Sequence, residues 1–303
     1  MIFYLSCTGN TLWAAKQLAE TINDRLTKIT DVMDSPYTLH LKEGERIGFC
    51  LPVHGWRVQP IVRKFIEDMD IILPQNSDGT SRERLMQRIY TYFLLTCGDS
   101  CGEYADELEN VLISKGLEVS TCCSVIMPES YVGLPFMDVD RPLREAEKKL
   151  QARGTVMRFA DILVDHRSVR MPIERGAMPH LYSRVFGRIF YSWLITDRRF
   201  HVMKERCIGC GKCVKHCPVS NMAMSDSTEE GNRCHPVWLH TGRCLTCMAC
   251  YHYCPEHAIG FWHFTKNKGQ YFFDHNKTTV CKYLCGCYGK QDSCIPCSFF
   301  CEF

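Results

Sequence analysis

From residue 1 to about residue 165, short apolar runs alternate with longer stretches whose apolar residues recur at helical spacing. Strand-like runs fall at 2–6, 27–32, 46–53, 89–97 and 119–127, and helix-like stretches at 10–25, 59–69, 102–115 and 141–165. The runs Ile47-Gly48-Phe49-Cys50-Leu51 and Tyr92-Phe93-Leu94-Leu95 show no polar alternation, the pattern of strands buried on both faces. Alternating β and α units of this kind predict an α/β fold. Its core is a doubly wound, five-stranded parallel sheet with ligands at the carboxyl ends of the strands.

The pattern breaks at 166–200. His166-Arg167-Ser168-Val169-Arg170-Met171-Pro172 is polar and interrupted by proline, and a helix is predicted from His180 to about Ile195. Leu181, Val185, Ile189 and Trp193 repeat every four positions along it, with Arg184 and Arg188 beside them. A basic, aromatic amphipathic helix can lie on a membrane surface. Such helices more commonly pack one domain against another, and membrane association is not the expectation here. No stretch approaches the ~18 uninterrupted apolar residues of a membrane span.

Charge divides the chain at the same places. Residues 1–150 hold 16 Lys and Arg against 22 Asp and Glu, residues 151–206 hold 11 against 5, and the remainder holds 9 against 7. An acidic domain, a basic connector and a near-neutral third part follow, although the whole carries only +2.

Cysteine usage changes the picture most. The 303 residues include 21 cysteines, and no basic, apolar leader pattern precedes the first strand. Without a secretory context, dense cysteine argues for metal or redox chemistry in a reducing cytoplasm rather than for a disulfide framework. Cys207, Cys210, Cys213 and Cys217-Pro218 stand in the spacing C-x2-C-x2-C-x3-C-P, which recurs at Cys244, Cys247, Cys250 and Cys254-Pro255. This is the bacterial ferredoxin signature, in which three thiolates hold one cluster and the fourth reaches its partner. By that rule Cys207, Cys210, Cys213 and Cys254 hold one [4Fe–4S] cluster, and Cys244, Cys247, Cys250 and Cys217 hold the other. A pair of zinc sites would not call for the triplet or for proline after both fourth cysteines.

The first strand runs straight into Ser6-Cys7-Thr8-Gly9-Asn10-Thr11, ahead of the first helix. A simple N-cap needs one such residue, whereas hydroxyls and amides gathered at a helix N-terminus suit an anion. No G-x-G-x-x-G and no G-x4-G-K-[ST] occurs anywhere, which excludes the usual dinucleotide and nucleotide-hydrolysis loops.

S-x-T-G-N-T after a first strand is similar to the phosphate loop of flavodoxins. With the ferredoxin repeat downstream, residues 1–275 resemble the flavodoxin–ferredoxin fusion proteins of anaerobic bacteria. The resemblance implies a flavodoxin-like FMN-binding domain at 1–165, a basic connector at 166–200 and a small α+β 2[4Fe–4S] ferredoxin domain at 201–275. Ser6, Thr8, Gly9, Asn10 and Thr11 would bind the FMN phosphate. Pro52, His54, Gly55 and Trp56 match the first flavin-flanking loop, and Thr96, Cys97, Gly98 and Asp99 the second. Trp56 is the candidate for stacking on the flavin ring, or else an aromatic wedged under its own helix. Gly98 would bring amides to the flavin edge. Asp99 would place negative charge there and lower the potential. His54 is the titratable group expected to move a proton to the reduced ring. Cys7 departs from the family loop, and a left-handed backbone at that position would be strained. Cys97, Cys101, Cys122 and Cys123 read as packing.

Six further cysteines crowd the tail at 276–303, from Cys281 to Cys301, in no recognised ligand spacing and with no role assigned. No acid–base or nucleophilic constellation stands out, which favours an electron carrier over a substrate-specific oxidoreductase. The expected partners are transient redox proteins, with no nucleic acid, and the oligomeric state is not legible. Two further readings stay open. In one, a dicluster ferredoxin uses a flavin-free first domain for docking. In the other, an FMN-dependent reductase acts on a small acceptor or quinone.

Overall fold

The computed structural model describes residues 1–42, 44–73, 86, 88–226 and 234–275. The cysteine-rich tail therefore lies outside the described residues. The chain divides into two compact units. The first comprises Met1–Ser6, Asn10–Ile126 and Arg153–Thr196, and the second comprises Cys7–Gly9, Met127–Ala152 and Asp197 onward.

In the first unit, β1 (Ile2–Tyr4) leads into α1 (Asn10–Ile22), followed by β2 (Leu26–Lys28), α2 (Ile29–Val32), β3 (Thr38–His40) and β4 (Arg46–Pro52). Next come α3 (Pro60–Asp68), β5 (Asp70–Ile72), β6 (Tyr90–Cys97), α4 (Tyr104–Ser114) and β7 (Val119–Ile126). The predicted five-stranded sheet is present in the order β2-β1-β4-β6-β7, with every pairing parallel. Counted within the sheet that order is 2-1-3-4-5, the flavodoxin-like winding. The uniformly apolar runs form the middle strands: every residue of β6 and the five central residues of β4 are buried.

Two departures from the sequence pattern have local causes. The strand expected at 27–32 stops at Lys28, because its sheet neighbour β1 ends at Tyr4, the partner of Lys28. The chain then winds one turn as α2, burying only Ile29. A separate parallel pair, β3 with β5, was not foreseen. Each strand has three residues with one buried, too short for a readable alternation.

Helix α5 (Pro142–Val164) ends in this unit with Val156, Phe159, Ala160 and Leu163 buried. The predicted connector helix, α6 at 179–194, is wound unusually. α-Helical turns at Pro179–Leu181 and Gly187–Ile189 alternate with π turns at Tyr182–Phe186 and Phe190–Leu194.

The second unit contains β8 (Phe200–Val202), α7 (Lys212–Lys215), β9 (Met222–Met224), β10 (Pro236–Trp238), α8 (Ala249–His252) and β11 (Ile259–Phe261). β8 pairs with β11 and β9 with β10, both antiparallel, so each half of the sequence repeat donates one strand to each two-stranded sheet. Segment 127–152 also belongs to this unit. Ser130 O lies 2.6 Å from His252 Nε2, Val132 O accepts from Lys268 Nζ at 3.1 Å, and Asp138 Oδ1 accepts from the Gly269 amide at 3.0 Å. Lys149 donates to Glu145 at 2.7 Å and to Phe273 O at 2.8 Å, both of its partners lying within the unit.

Candidate functional site

The two cysteine quartets follow the repeat turn by turn. Gly209 and Gly211 adopt φ of +71° and +68°. Their counterparts in the second copy, Thr246 and Met248, take the same left-handed conformation at +49° and +61° without being glycine. Ser220 and His257, three residues after each fourth cysteine, repeat it again at +50° and +47°. L-residues there cost roughly 1–2 kcal/mol each, which a site persists in only when its surroundings over-determine the backbone. Short helices α7 and α8 then begin beside Cys213 and Cys250.

Two cavities result. One is lined by Cys207, Cys210, Cys213 and Cys254. The other is lined by Cys217, Cys244, Cys247 and Cys250. The fourth cysteine of each motif has thus crossed to the other motif's cavity. Electrostatics repeats the pairing: Cys213 feels Cys254 and Cys210, while Cys250 feels Cys247, Cys244 and Cys217. Cys250 also feels Cys213, so the two quartets are neighbours.

In the chain alone, burial pushes the Cys213 thiol up to about 11 and the Cys244 thiol up to about 12. Thiolates in such surroundings need the positive charge of bound metal. Among the described residues no three ligating side chains converge on a single ion. Thiolates of a cubane cluster each bind a different iron, so the quartets fit [4Fe–4S] groups. Backbone amides support the sulfurs: Asn221 donates to Cys217 Sγ at 3.3 Å, Thr246 to Cys244 Sγ at 3.3 Å and Ala258 to Cys254 Sγ at 3.2 Å. The Ala249 amide reaches Cys247. Asn221 is held in turn by Asp197 at 2.7 Å, and His240 Nδ1 lies 2.8 Å from the same carboxylate. Sequence spacing gave no signal for this Asn221–Asp197–His240 chain.

The opening loop carries its left-handed turn at Gly9, φ +99°, while Cys7 needs no positive φ and so is not strained. In the first unit, Ser6 Oγ accepts from the Leu12 amide at 3.2 Å, and the Thr11 and Thr96 hydroxyls lie 2.7 Å apart. Thr11 and Thr96 are buried, as is Asn10 at the start of α1. In the second, Thr8 O accepts from the Phe273 amide at 2.8 Å, and a Cβ on Gly9 would stand 2.9 Å from that of Phe273. The neighbouring Cys7 thiol, together with burial, pushes the Cys247 thiol well up, a proximity that spacing could not reveal.

The loops after β4 and β6 meet α6 within the first unit. Trp56 stacks on Tyr182 with ring centroids 5.4 Å apart and 22° between planes, and its Nε1 donates to Ser100 Oγ at 3.1 Å. Ser183 Oγ donates to Trp56 O at 2.9 Å and accepts from the Glu103 amide at 2.8 Å. A Cβ on Gly55 would collide with the ring of Phe190. His54 meets that ring edge-on at 5.0 Å, and Tyr191 OH donates to His54 O at 3.1 Å. Burial lowers the His54 imidazole to about 4, so near neutral pH it is uncharged. Pro52 O accepts from Gln59 Nε2 at 2.6 Å, Cys97 is buried, Gly98 half-buried and Asp99 exposed. Cys101 Sγ lies 3.5 Å from Cys97 Sγ, and Cys122 and Cys123 are buried in β7. For an FMN phosphate the first unit offers the Ser6, Asn10 and Thr11 side chains at the start of α1. For the ring, the indole of Trp56 is already engaged by Tyr182.

Comparison with known proteins matches these two regions. A family model described as a flavodoxin domain matches residues 1–77, and one described as a 4Fe-4S dicluster domain matches residues 206–258. Ferredoxin-3 from Nostoc sp. is 32% identical over 66 residues, covering 18% of this chain and 68% of its own length. The structure of Trp repressor binding protein from Bacillus subtilis aligns with 52% of this chain and 94% of its own, at 11% identity and a TM-score of 0.32, too low to bear on the fold. A flavodoxin domain ahead of a dicluster ferredoxin domain on one chain places this protein in the flavodoxin–ferredoxin fusion family, with electron transfer as its role.

Proposed function

We propose that the chain passes single electrons between two [4Fe–4S] clusters and an FMN, coupling one-electron to two-electron redox partners in the cytoplasm. The observation that carries this reading is the exchange of fourth ligands, Cys217 and Cys254, between two neighbouring quartets. Two clusters that share a fold so closely exchange electrons one at a time, whereas a flavin stores one or two. Ser6, Thr8, Gly9, Asn10 and Thr11 are the residues for the FMN phosphate. Pro52, His54, Gly55 and Trp56, with Thr96, Cys97, Gly98 and Asp99, are those for the ring. Partners would be transient redox proteins docking by complementary charge.

The engagement of Trp56 and Gly55 by α6 favours a second reading, a flavin-free docking domain attached to a dicluster ferredoxin. One experiment separates the two. Anaerobically purified protein is assayed for iron, sulfide, zinc and extracted flavin on the same sample. About eight iron, eight sulfide and one FMN per chain support the first reading. The same clusters without FMN, even after FMN is supplied, support the second. Zinc in place of iron overturns both.

A further inference from the structure

Helix α6 has two unlike faces. Ser183, Gly187 and Phe190 are buried, against Trp56, Gly55 and His54 of the first unit. Another column, Leu181, Val185 and Ile189, continued by Trp193, is 37%, 45%, 53% and 67% exposed. Phe186 is exposed beside it. A surface helix ordinarily turns polar residues outward, and a contiguous exposed apolar patch marks an interaction site.

The winding of the helix assembles this column. In a regular α-helix a step of four residues drifts by about 40°, which would fan such positions around the cylinder. The π turns at Tyr182–Phe186 and Phe190–Leu194 close on i+5 contacts and take in more residues per turn, which holds the fourfold repeat in line. The neighbouring column is basic and exposed: Arg188, and Arg184 with its guanidinium on Glu103.

We propose that this face of α6 seats the protein on an anionic lipid bilayer, with Val185, Ile189 and their neighbours in the headgroup–acyl boundary and Arg188 toward lipid phosphates. An apolar column with a basic flank and a terminal tryptophan is the chemistry of an interfacial helix. Residues 151–206 hold 11 Lys and Arg against 5 Asp and Glu; Arg170, Arg175 and Arg184 pair with Glu109, Asp106 and Glu103 outside the segment, and the remaining positive excess adds long-range attraction to a negative surface. Lying on the surface is also the only mode open to α6, since no helix among the described residues is long and apolar enough to cross.

The test is co-sedimentation of the full chain, clusters loaded, with vesicles of phosphatidylcholine alone and of phosphatidylcholine with phosphatidylglycerol, at low and high salt. The expected result is binding to the anionic vesicles, weaker in high salt, and reduced about tenfold or more by V185E/I189E. R188Q should weaken binding to the anionic vesicles only. Both positions of the double variant are exposed, and an unchanged cluster absorption spectrum shows that it is folded. No sedimentation with anionic vesicles overturns the proposal, as does binding that V185E/I189E leaves unchanged or that neutral vesicles match. Self-association abolished by the same variant also overturns it, and assigns the face to a second copy of the chain.

Discussion

Cys7 illustrates how a single side chain can serve a purpose that its neighbours in sequence conceal. In the loop Ser6–Thr11 the backbone turn is taken by Gly9, so a thiol at position 7 brings no strain. Its sulfur instead meets Cys247, the middle cysteine of the second triplet. With Cys247 as a metal-bound thiolate, the Cys7 S–H would donate to it, and a hydrogen bond to a ligand sulfur would stabilise the more negative, reduced cluster. Replacing Cys7 by Ala should therefore lower the reduction potential of that one cluster without changing the iron content. A spectroscopic redox titration beside an iron assay reads both. An unchanged potential would mean that the contact only fills space.

At the scale of elements, the connector is held to the first unit by a small electrostatic clamp. Glu103 at the start of α4 accepts from Arg184 Nε and Nη2, both at 2.8 Å, and lies 2.6 Å from His180 Nδ1. Chiefly through the Arg184 hydrogen bonds, its carboxyl is held at about 2 rather than the ordinary 4.5. A depressed folded-state value contributes stability that is complete above the unfolded value and lost as pH falls toward the folded one. Docking of α6 should thus weaken between about pH 4.5 and about pH 2. Proteolytic nicking at 179–194 should accelerate across that window. Glu103→Gln should nick faster at neutral pH and lose the dependence on this group. A window that survives intact in Glu103→Gln would assign it to another carboxylate.

Across the second unit, the crossed quartets make the two halves of the repeat interdependent. Cys217 sits in the first motif by sequence but lines the cavity of the second. Cys217→Ala should therefore deplete the cluster of Cys244, Cys247 and Cys250 and leave the other, taking iron from about eight to about four per chain. Should the lost cluster prove to be that of Cys207, Cys210 and Cys213, the ligand exchange is wrong.

Much of this protein could be read without coordinates. Two central strands announced themselves as Ile47–Leu51 and Tyr92–Leu95, because burial on both faces removes polar alternation altogether. The dicluster domain was equally plain, since a cube imposes its cysteine spacing on the chain that wraps it. Three-residue strands such as Thr38–His40 left no pattern to find. Neither did the π turns of α6, which differ from α-helix in winding rather than in composition. The Trp56–Tyr182 stack joins residues 126 positions apart, which no local signal links. The Cys7–Cys247 contact and the chain from Asn221 through Asp197 to His240 are likewise products of folding.

The sequence by itself determined the class of sheet and the two cysteine motifs of the dicluster domain, and it pointed to an anion at the first loop. Each depends on local periodicity or on spacing that a ligand dictates. Only the tertiary structure decided which side chains surround those features: Cys7 beside Cys247, Tyr182 on Trp56, and an apolar column of α6 left facing solvent. Those relations are distances between residues remote in the chain, set by how helices and loops pack once the sheet and the cluster fold have formed.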